Sequence, residues 1–239
     1  IYYENAVLKI LNIPIIYTPF FSHPNPSVKK KSGIIMPSIS IDNSLGTSIS
    51  LPLFYNIASN YDVTFTPTIQ TKADDYYSLN YRHLTENHMF NLESSITSNE
   101  SKTGTRNHLF INGKIKNPYG KFEYDIETSN NDTYLRKNQI NDLTTLTSGL
   151  RFTKEKQNSY LDFKSYSYKH LNNSSNQKWE YIYPSINFNI YNYNDPLVNK
   201  NWDVKNTFLN YRDINKNNKQ EISSELMSKD IKILKNIAI

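Results

Sequence analysis

Polar and apolar residues alternate along most of this sequence, which predicts a chain built from β-strands. In the segment 61–70, YDVTFTPTIQ, the odd positions are apolar or proline and the even positions are polar. Successive side chains of a strand point to opposite faces of a sheet, so this segment has one apolar face and one wet face. Stronger or weaker versions of the alternation recur at 34–42, 47–55, 76–84, 89–97, 107–116, 122–127, 143–153, 159–169, 182–190 and 202–212.

The pattern predicts about eleven strands of roughly 8 to 11 residues, and a strand that crosses a bilayer at a tilt needs about 9 to 11. The connections at 42–46 and 154–158 are short, whereas those at 130–142 and 171–177 are long and polar. Short turns at one end and long loops at the other are typical of an outer-membrane barrel. Aromatic residues cluster near the predicted strand ends, where an interfacial girdle would lie: Tyr76, Tyr77, Trp179, Tyr181, Tyr183 and Trp202. A soluble β-sandwich or a β-solenoid also alternates, and the pattern alone leaves this alternative open.

A barrel interpretation requires more strands than this sequence supplies. Bacterial single-chain barrels usually have an even number of strands, and an open edge in lipid would leave backbone groups unpaired. We therefore expect a piece of a longer protein, which agrees with a first residue other than Met and with the absence of a leader pattern. The segment 223–239 looks helical and departs from the rhythm, so it is expected to be a loop, a helix or the effect of a truncation.

Composition narrows the class of protein. Only 37% of the residues are hydrophobic, yet 13% are aromatic, and disordered chains are poor in aromatic residues. No run of 18 apolar residues occurs, which excludes a transmembrane helix. The net charge is +5 and the basic residues are scattered, whereas nucleic-acid binding would need a denser basic stripe. The sequence contains no cysteine and so has no thiolate metal site and no disulfide.

The sequence offers few candidates for catalytic or metal-binding residues. Glu123, Asp125 and Glu127 share one strand face and could serve acid–base chemistry, but a carboxylate ladder that lines a watery lumen is the plainer interpretation. His83 and His88 do not combine with Glu86 into a zinc-site spacing. There is no glycine-rich phosphate loop and no recognisable nucleophile motif. The prediction is therefore a protein without catalytic residues, metal or cofactor.

One stretch carries a more specific pattern. From Pro14 onward the sequence reads PIIYTPFFSHPNPSVKKKSGIIMPSISIDNSLGTSISLPLFYNIASNYDVTFTPTI. It contains an aromatic-Ser-His-Pro-Asx-Pro turn, a basic run before Ser-Gly, a proline in each of the next two predicted strands, and Asn-Tyr-Asp with Thr-Pro after it. This stretch resembles the lipopolysaccharide-assembly family known as LptD or OstA, at the join between a periplasmic β-jellyroll and the first barrel strands. Looser similarity continues at Tyr81-Arg82-His83, Tyr134-Leu135 and Tyr183-Pro184.

The resemblance implies an all-β fold with four parts. Residues 1–22 would end a periplasmic β-jellyroll, 23–32 would form a hinge, and 33–222 would supply the first strands of a large antiparallel outer-membrane β-barrel. The segment 223–239 is left unassigned.

The resemblance also implies transport without covalent chemistry. In that family the jellyroll receives lipopolysaccharide from a periplasmic bridge protein of the LptA type. The barrel, with a plug lipoprotein of the LptE type, releases it sideways into the outer leaflet. The implied location is the cell outer membrane, with the N-terminal part in the periplasm.

The same resemblance assigns roles to individual residues. The rigid segment with Pro19, His23, Pro24 and Pro26 would set the angle between jellyroll and barrel, because proline fixes its own φ and restricts the preceding residue. His23 could also be a ligand or a proton switch, and a turn histidine that caps backbone carbonyls is the simpler interpretation.

Pro37 and Pro52 fall inside neighbouring predicted strands. Proline cannot donate to a ladder and is confined to edges, strand starts and bulges. The family places strand-weakening prolines at its lateral gate, so these two are the predicted gate residues, and two harmless bulges near a rim are the alternative. Lys29, Lys30 and Lys31 could bind the phosphates of lipid A, or they could form a solvated turn.

Two other functions stay open from the sequence. A general porin would share the barrel but would have no need of the hinge or the paired prolines. An outer-membrane hydrolase would need a Ser/His/Asp set or paired carboxylates near one rim.

Overall fold

The computed structural model describes residues 2–10, 13–22, 30–98, 104–172, 179–195, 197, 200–228 and 232–238. Within these ranges the chain is almost entirely β-structure, which confirms the all-β prediction. The strands are β1 (Tyr2–Ile10), β2 (Ile13–Ser22), β3 (Gly33–Ile34), β4 (Ser38–Asp42), β5 (Gly46–Ser50), β6 (Leu53–Ala58), β7 (Tyr61–Gln70), β8 (Tyr76–Leu84), β9 (His88–Thr97), β10 (Asn107–Asn117), β11 (Gly120–Ser129), β12 (Thr145–Lys156), β13 (Ser159–His170), β14 (Trp179–Asp195), β15 (Lys200–Arg212), β16 (Asn218–Met227) and β17 (Lys232–Ala238). One short helix, α1 (Tyr134–Lys137), lies between β11 and β12.

The strands form two sheets. β1 and β2 pair with each other in an antiparallel hairpin. The remaining strands form one 15-stranded antiparallel sheet in which most neighbours in sequence are also neighbours in space, from β17 through β7. At its other edge β7 pairs with both β5 and β6, while β4 pairs with β5 and β3 pairs with β6. The predicted strands 34–42 and 47–55 are thus each divided into two segments.

The two faces of the large sheet differ in polarity, as the alternation predicts. On β7 and β8, Asp62 lies opposite Arg82 and Thr64 lies opposite Asn80, and these side chains point to the same side. That side is concave, because a single open cavity of about 770 Å³ is lined by side chains from β6 through β11. We call it the polar face.

The opposite side, which we call the apolar face, carries large hydrophobic side chains that remain exposed. Seven of them, on β5, β7, β8, β9 and β11, are between 40% and 60% exposed: Ile49, Phe65, Ile69, Tyr77, Leu79, Ile96 and Ile126. Cross-strand register places Ile49 opposite Ile69 and Phe65 opposite Leu79 on this side.

The connections divide into two kinds according to the end of the sheet. At one end the turns after β6, β8, β10 and β12 are tight. At the other end lie the longer segments between β7 and β8, between β9 and β10, and between β11 and β12. The short turn 42–46 lies at this long-loop end, since Lys72 donates to the Leu45 carbonyl from the β7–β8 loop, 3.1 Å.

The segment 223–239, for which the sequence leaves a loop, a helix or a truncation effect open, forms strands over 223–227 and 232–238. β16 pairs with β15 from Asp203 opposite Met227 to Arg212 opposite Asn218, and β17 pairs with β16 in turn. Cross-strand pairing with an existing edge outweighs a weak local helix preference, because strand propensity depends mainly on the neighbours that a strand finds. The sheet therefore continues two strands beyond the predicted eleven.

The long connection between β11 and β12, residues 130–144, is polar in composition but carries buried side chains. Tyr134 and Leu135 of α1 are almost completely buried, and they pack with Leu146 and Leu171. Ile140 and Leu143 of the same loop cover this cluster.

The loop folds over the polar face and reaches the far edge of the sheet. The Tyr134 hydroxyl lies 2.6 Å from the Ser95 hydroxyl on β9. The Gln139 side-chain amide donates to Asp42 at the end of β4, 3.0 Å away. Burial raises the pKa of Tyr134, so its phenol stays protonated at neutral pH. Among the described residues no helix is long and apolar enough to cross a membrane.

Candidate functional site at the proline-interrupted edge

The edge of the sheet formed by β3 to β7 has incomplete backbone pairing. The Ile35 amide donates to the Pro52 carbonyl, 2.9 Å, where β3 and β6 meet β4 and β5. In an antiparallel ladder such a pair exchanges two hydrogen bonds. Pro52 has no N–H, so the bond back to the Ile35 carbonyl is missing.

The neighbouring ladder, in which β5 and β6 pair with β7, has the same defect at this level. The Leu51 amide donates to the Pro67 carbonyl, 3.1 Å, and Pro67 cannot return the bond. The register is continuous here, since Ser50 lies opposite Thr68 on one side of the pair and Leu53 lies opposite Phe65 on the other. One rung in each of two neighbouring ladders is therefore joined by one bond instead of two.

Pro37 lies at the same level, in a bulge. Ile34 pairs with Leu53 and Ser38 pairs with Ser50, so three residues, 35–37, face two residues, 51–52. One extra residue on one strand of a pair is a β-bulge, which bends the strand and interrupts its ladder. The bulge and the two missing bonds coincide.

The backbone amides of a strand point alternately to its two neighbouring strands. Pro52 lies in such a regular ladder, whereas Pro37 lies in the bulge. The Thr71 amide donates to the Thr47 carbonyl, and the Leu51 amide donates to the Pro67 carbonyl. Thr47 and Leu51 therefore bond toward β7. Ser48 and Ser50 therefore face β4, where Ser40 lies opposite Ser48 and Ser38 lies opposite Ser50. Pro37 comes directly before Ser38, inside the bulge, so its missing donor lies where β3 ends and β4 begins.

The structure thus brings Pro37 and Pro52 together, as the sequence predicts, and adds Pro67. The three prolines stand fifteen residues apart in sequence and lie at one level of adjacent strands. This regular spacing is the signal that could have identified Pro67, which reads in the sequence as one apolar position of an alternating strand.

The interrupted strands lie between the two faces of different polarity. Ile35 and Phe54 line the open cavity on the polar face, together with charged residues such as Arg82, Asp125 and Glu127. On the other side Ile34, Leu51 and Leu53 are exposed. A molecule that crosses the sheet at this level would pass from a wet cavity to an apolar surface.

The basic run behaves differently from residue to residue. Both Lys30 and Lys31 are exposed, and the Lys30 ammonium lies 2.7 Å from a carboxylate oxygen of Asp62. Lys29 lies outside the described residues.

The hinge residues are mostly beyond the described ranges. His23, Pro24 and Pro26 fall among the residues that the structure does not describe. Pro19 is exposed and lies within β2, across from Asn5 of β1, whose φ is 50°. The Tyr17 hydroxyl donates to the Asn5 side chain, 2.7 Å.

Aromatic residues at the long-loop end form stacks. Trp179 stacks on Tyr181 with ring centroids 6.1 Å apart, and Tyr181 stacks on Tyr183 at 4.9 Å. Trp179 and Tyr183 remain about half exposed. They are placed where the sequence predicts an interfacial girdle.

One serine–histidine–carboxylate arrangement occurs on the polar face. The Ser95 hydroxyl lies 2.8 Å from Nδ1 of His108, whose Nε2 is 3.7 Å from Glu93. Ser95 and His108 are both almost fully buried under Tyr134. A nucleophile needs an open approach for its substrate, which this arrangement does not offer.

Comparison with known proteins identifies the chain's relatives. It is 37% identical over 106 residues to the LPS-assembly protein LptD of Shewanella frigidimarina, a match that covers 41% of this chain and 14% of that protein. It is 38% identical over 81 residues to the LptD of Albidiferax ferrireducens, covering 34% of this chain and 10% of that protein. These matches support membership of the chain in the LptD family. The LptD of Francisella tularensis subsp. holarctica is 27% identical over 133 residues, which is 54% of this chain and 15% of that protein.

The family prediction is confirmed. The match covers only a part of each LptD protein. The matched segments make up only 10% to 15% of these three LptD proteins, so the chain corresponds to a small part of their length. No family model matches the chain.

Proposed function

We propose that this chain is part of an outer-membrane translocon component that inserts lipopolysaccharide into the outer leaflet. The observation that carries the proposal is the weakened pairing at Pro37, Pro52 and Pro67, in strands that separate a polar cavity from an exposed apolar face. Lipopolysaccharide has sugars that need a wet path and acyl chains that need lipid. We call the weakened level at Pro37, Pro52 and Pro67 the seam. It has the polar cavity on one side and the apolar face on the other, which fits such an amphipathic molecule.

The seam acts as a lateral gate in this proposal. Each missing ladder bond lowers the free-energy cost of separating neighbouring strands by about 0.5–1.5 kcal/mol. The acyl chains leave through the opened seam while the saccharide follows the polar face. Membrane insertion is supported by the row of exposed hydrophobic side chains on the apolar face, because soluble proteins rarely leave such a surface in contact with water.

The remaining parts of the chain take their places around this barrel. The β1–β2 hairpin is the end of a periplasmic jellyroll, and residues 23–32 are the hinge that joins it to the sheet. The tight-turn end of the sheet faces the periplasm and the long loops face outward. The partners are a periplasmic bridge protein of the LptA type, a plug lipoprotein of the LptE type and lipopolysaccharide itself.

The alternatives receive less support from the geometry. A porin has no use for prolines at one level of three adjacent strands. A hydrolase has no accessible nucleophile at Ser95, which is sealed beneath Tyr134. Transport without covalent chemistry is therefore the function that the site favours.

Depletion of the full-length protein from living cells tests the function. We expect newly made lipopolysaccharide to disappear from the cell surface while small-solute uptake and lipid cleavage stay unchanged. Normal surface lipopolysaccharide after complete depletion would reject the transport function. A selective loss of solute uptake would indicate a porin, and a loss of lipid cleavage would indicate a hydrolase.

A further inference from the structure

The most buried carboxylate on the polar face is Asp62, at the tight-turn end of β7. Its side chain is 4% exposed and accepts two cationic partners, one on each carboxylate oxygen. Arg82 of β8 donates through Nε, 2.7 Å, and Lys30 donates through Nζ, also 2.7 Å. A buried carboxylate requires such partners, because an unpaired charge away from water is strongly unfavourable.

The two partners come from different parts of the chain. Arg82 lies directly across the β7–β8 ladder, whereas Lys30 precedes the sheet altogether. The same preceding segment makes two further contacts with Asn56 of β6. The Asn56 amide donates to the Ser32 hydroxyl, 2.8 Å, and its side-chain amide donates to the Lys30 carbonyl, 3.1 Å.

We infer that Asp62 is a positioning residue that anchors residues 30–32, the segment leading into β3, to the polar face of β6 and β7. This inference rests on the proposed function, since β3 begins the weakened strand that contains Pro37. The anchor fixes the point at which the chain joins the sheet, so opening of the seam is confined to the interrupted level beyond it. Without the anchor, β3 can separate from β6 at its end.

The short length of β3 explains why an anchor is needed. β3 has two residues, Gly33 and Ile34, and its register with β6 comprises two residue pairs. Ladder bonds alone hold such a strand weakly, whereas a charge-assisted hydrogen bond is about twice as strong as a neutral one. Lys30 therefore works mainly as an anchor, and a general role of the basic run in phosphate binding becomes the competing interpretation.

Adjacent lysines provide a matched comparison in the full-length protein. Lys30→Gln removes the ion pair with Asp62 but leaves Arg82 to compensate the carboxylate, so the fold persists. Lys31→Gln removes the same charge from the next, exposed residue. Hydrogen exchange of the amides in 31–35 should become roughly five- to tenfold faster in Lys30→Gln, and should not change in Lys31→Gln. Equal exchange in both variants would overturn the anchor.

A second pair of variants tests the carboxylate itself. Asp62→Asn weakens the anchor, and Asp162→Asn weakens a comparable buried pair in which Arg151 lies 2.7 Å from Asp162. Asp162 belongs to β13, six strands from β7 in the sheet order. Faster exchange at 31–35 is expected in Asp62→Asn alone, and faster exchange there in both variants would reduce Asp62 to a general stability role. If Asp62→Asn does not fold, Lys30→Gln decides.

Surface arrival of lipopolysaccharide completes the test. Slower export in Lys30→Gln than in Lys31→Gln is expected, whereas equal slowing in both variants with unchanged exchange would assign the run to phosphate binding and overturn the anchor. The exchange measurement needs no transport activity. A failure of the transport function in the depletion experiment is therefore distinguishable from a failure of the anchor.

Discussion

At the scale of single residues, the seam is defined by backbone donors that are absent. Pro52 and Pro67 each leave a neighbouring carbonyl, of Ile35 and of Leu51, without the return bond of its rung. Replacing either proline with valine supplies that donor, and valine suits a strand. We expect each single replacement to raise the unfolding free energy of the full-length protein by about 0.5–1.5 kcal/mol.

Denaturant unfolding in the native membrane or detergent measures this gain. Pro118→Thr is the control, because Pro118 lies in the tight turn between β10 and β11 and interrupts no rung. Stabilisation by Pro118→Thr as large as by Pro52→Val would show that proline content, and not the missing rung, sets the stability.

At the scale of elements, the loop 130–144 packs on the polar face of the sheet. Leu135 is 1% exposed and packs against Leu146 and Leu171. Truncation of a buried leucine costs about 2–5 kcal/mol, so Leu135→Ala should lower the unfolding free energy by that amount. Leu197→Ala is the matched control, since Leu197 is 93% exposed, and it should change stability by less than about 0.5 kcal/mol. Equal effects of the two variants would mean that the loop is not packed on the sheet.

The elements also show where sequence reasoning succeeds and where it stops. Alternation locates the strands well, because one face is apolar and the other is polar over many consecutive residues. It does not locate the packed loop, since Tyr134, Leu135, Ile140 and Leu143 are spaced without a strand or helix period. It misses β16 because the pairing partner, β15, supplies what local propensity does not. Likewise the role of Asp62 depends on two residues 20 and 32 positions away.

At the scale of the whole molecule, the exposed apolar face is the feature that distinguishes a membrane barrel from a soluble sheet. Ile126 is 44% exposed on that face, whereas Asn80 lies on the polar face opposite Glu93. In a bilayer Ile126→Lys should cost about 2–4 kcal/mol, because a charge would face hydrocarbon. Asn80→Lys should be tolerated, since it places the charge in water beside a carboxylate.

Folding of the full-length variants into lipid vesicles and unfolding in denaturant gives both values. A cost below about 0.5 kcal/mol for Ile126→Lys is what a soluble sheet would show at an exposed position. That result would remove the membrane-spanning part of the proposal.

The most direct test of the lateral gate is the rate at which lipopolysaccharide reaches the surface of cells whose only copy of the full-length protein carries Pro37→Thr and Pro52→Val. Pro52→Val restores the bond to Ile35, and Pro37→Thr supplies a backbone donor at the bulge between β3 and β4. If both new donors form a ladder bond, the opening equilibrium shifts by about 1–3 kcal/mol, or roughly five- to a hundredfold in open population. We expect a more heat-resistant protein and correspondingly slower export, with Pro118→Thr unchanged in both. Undiminished export from a correctly assembled and stabilised double variant would remove the gate role from these prolines.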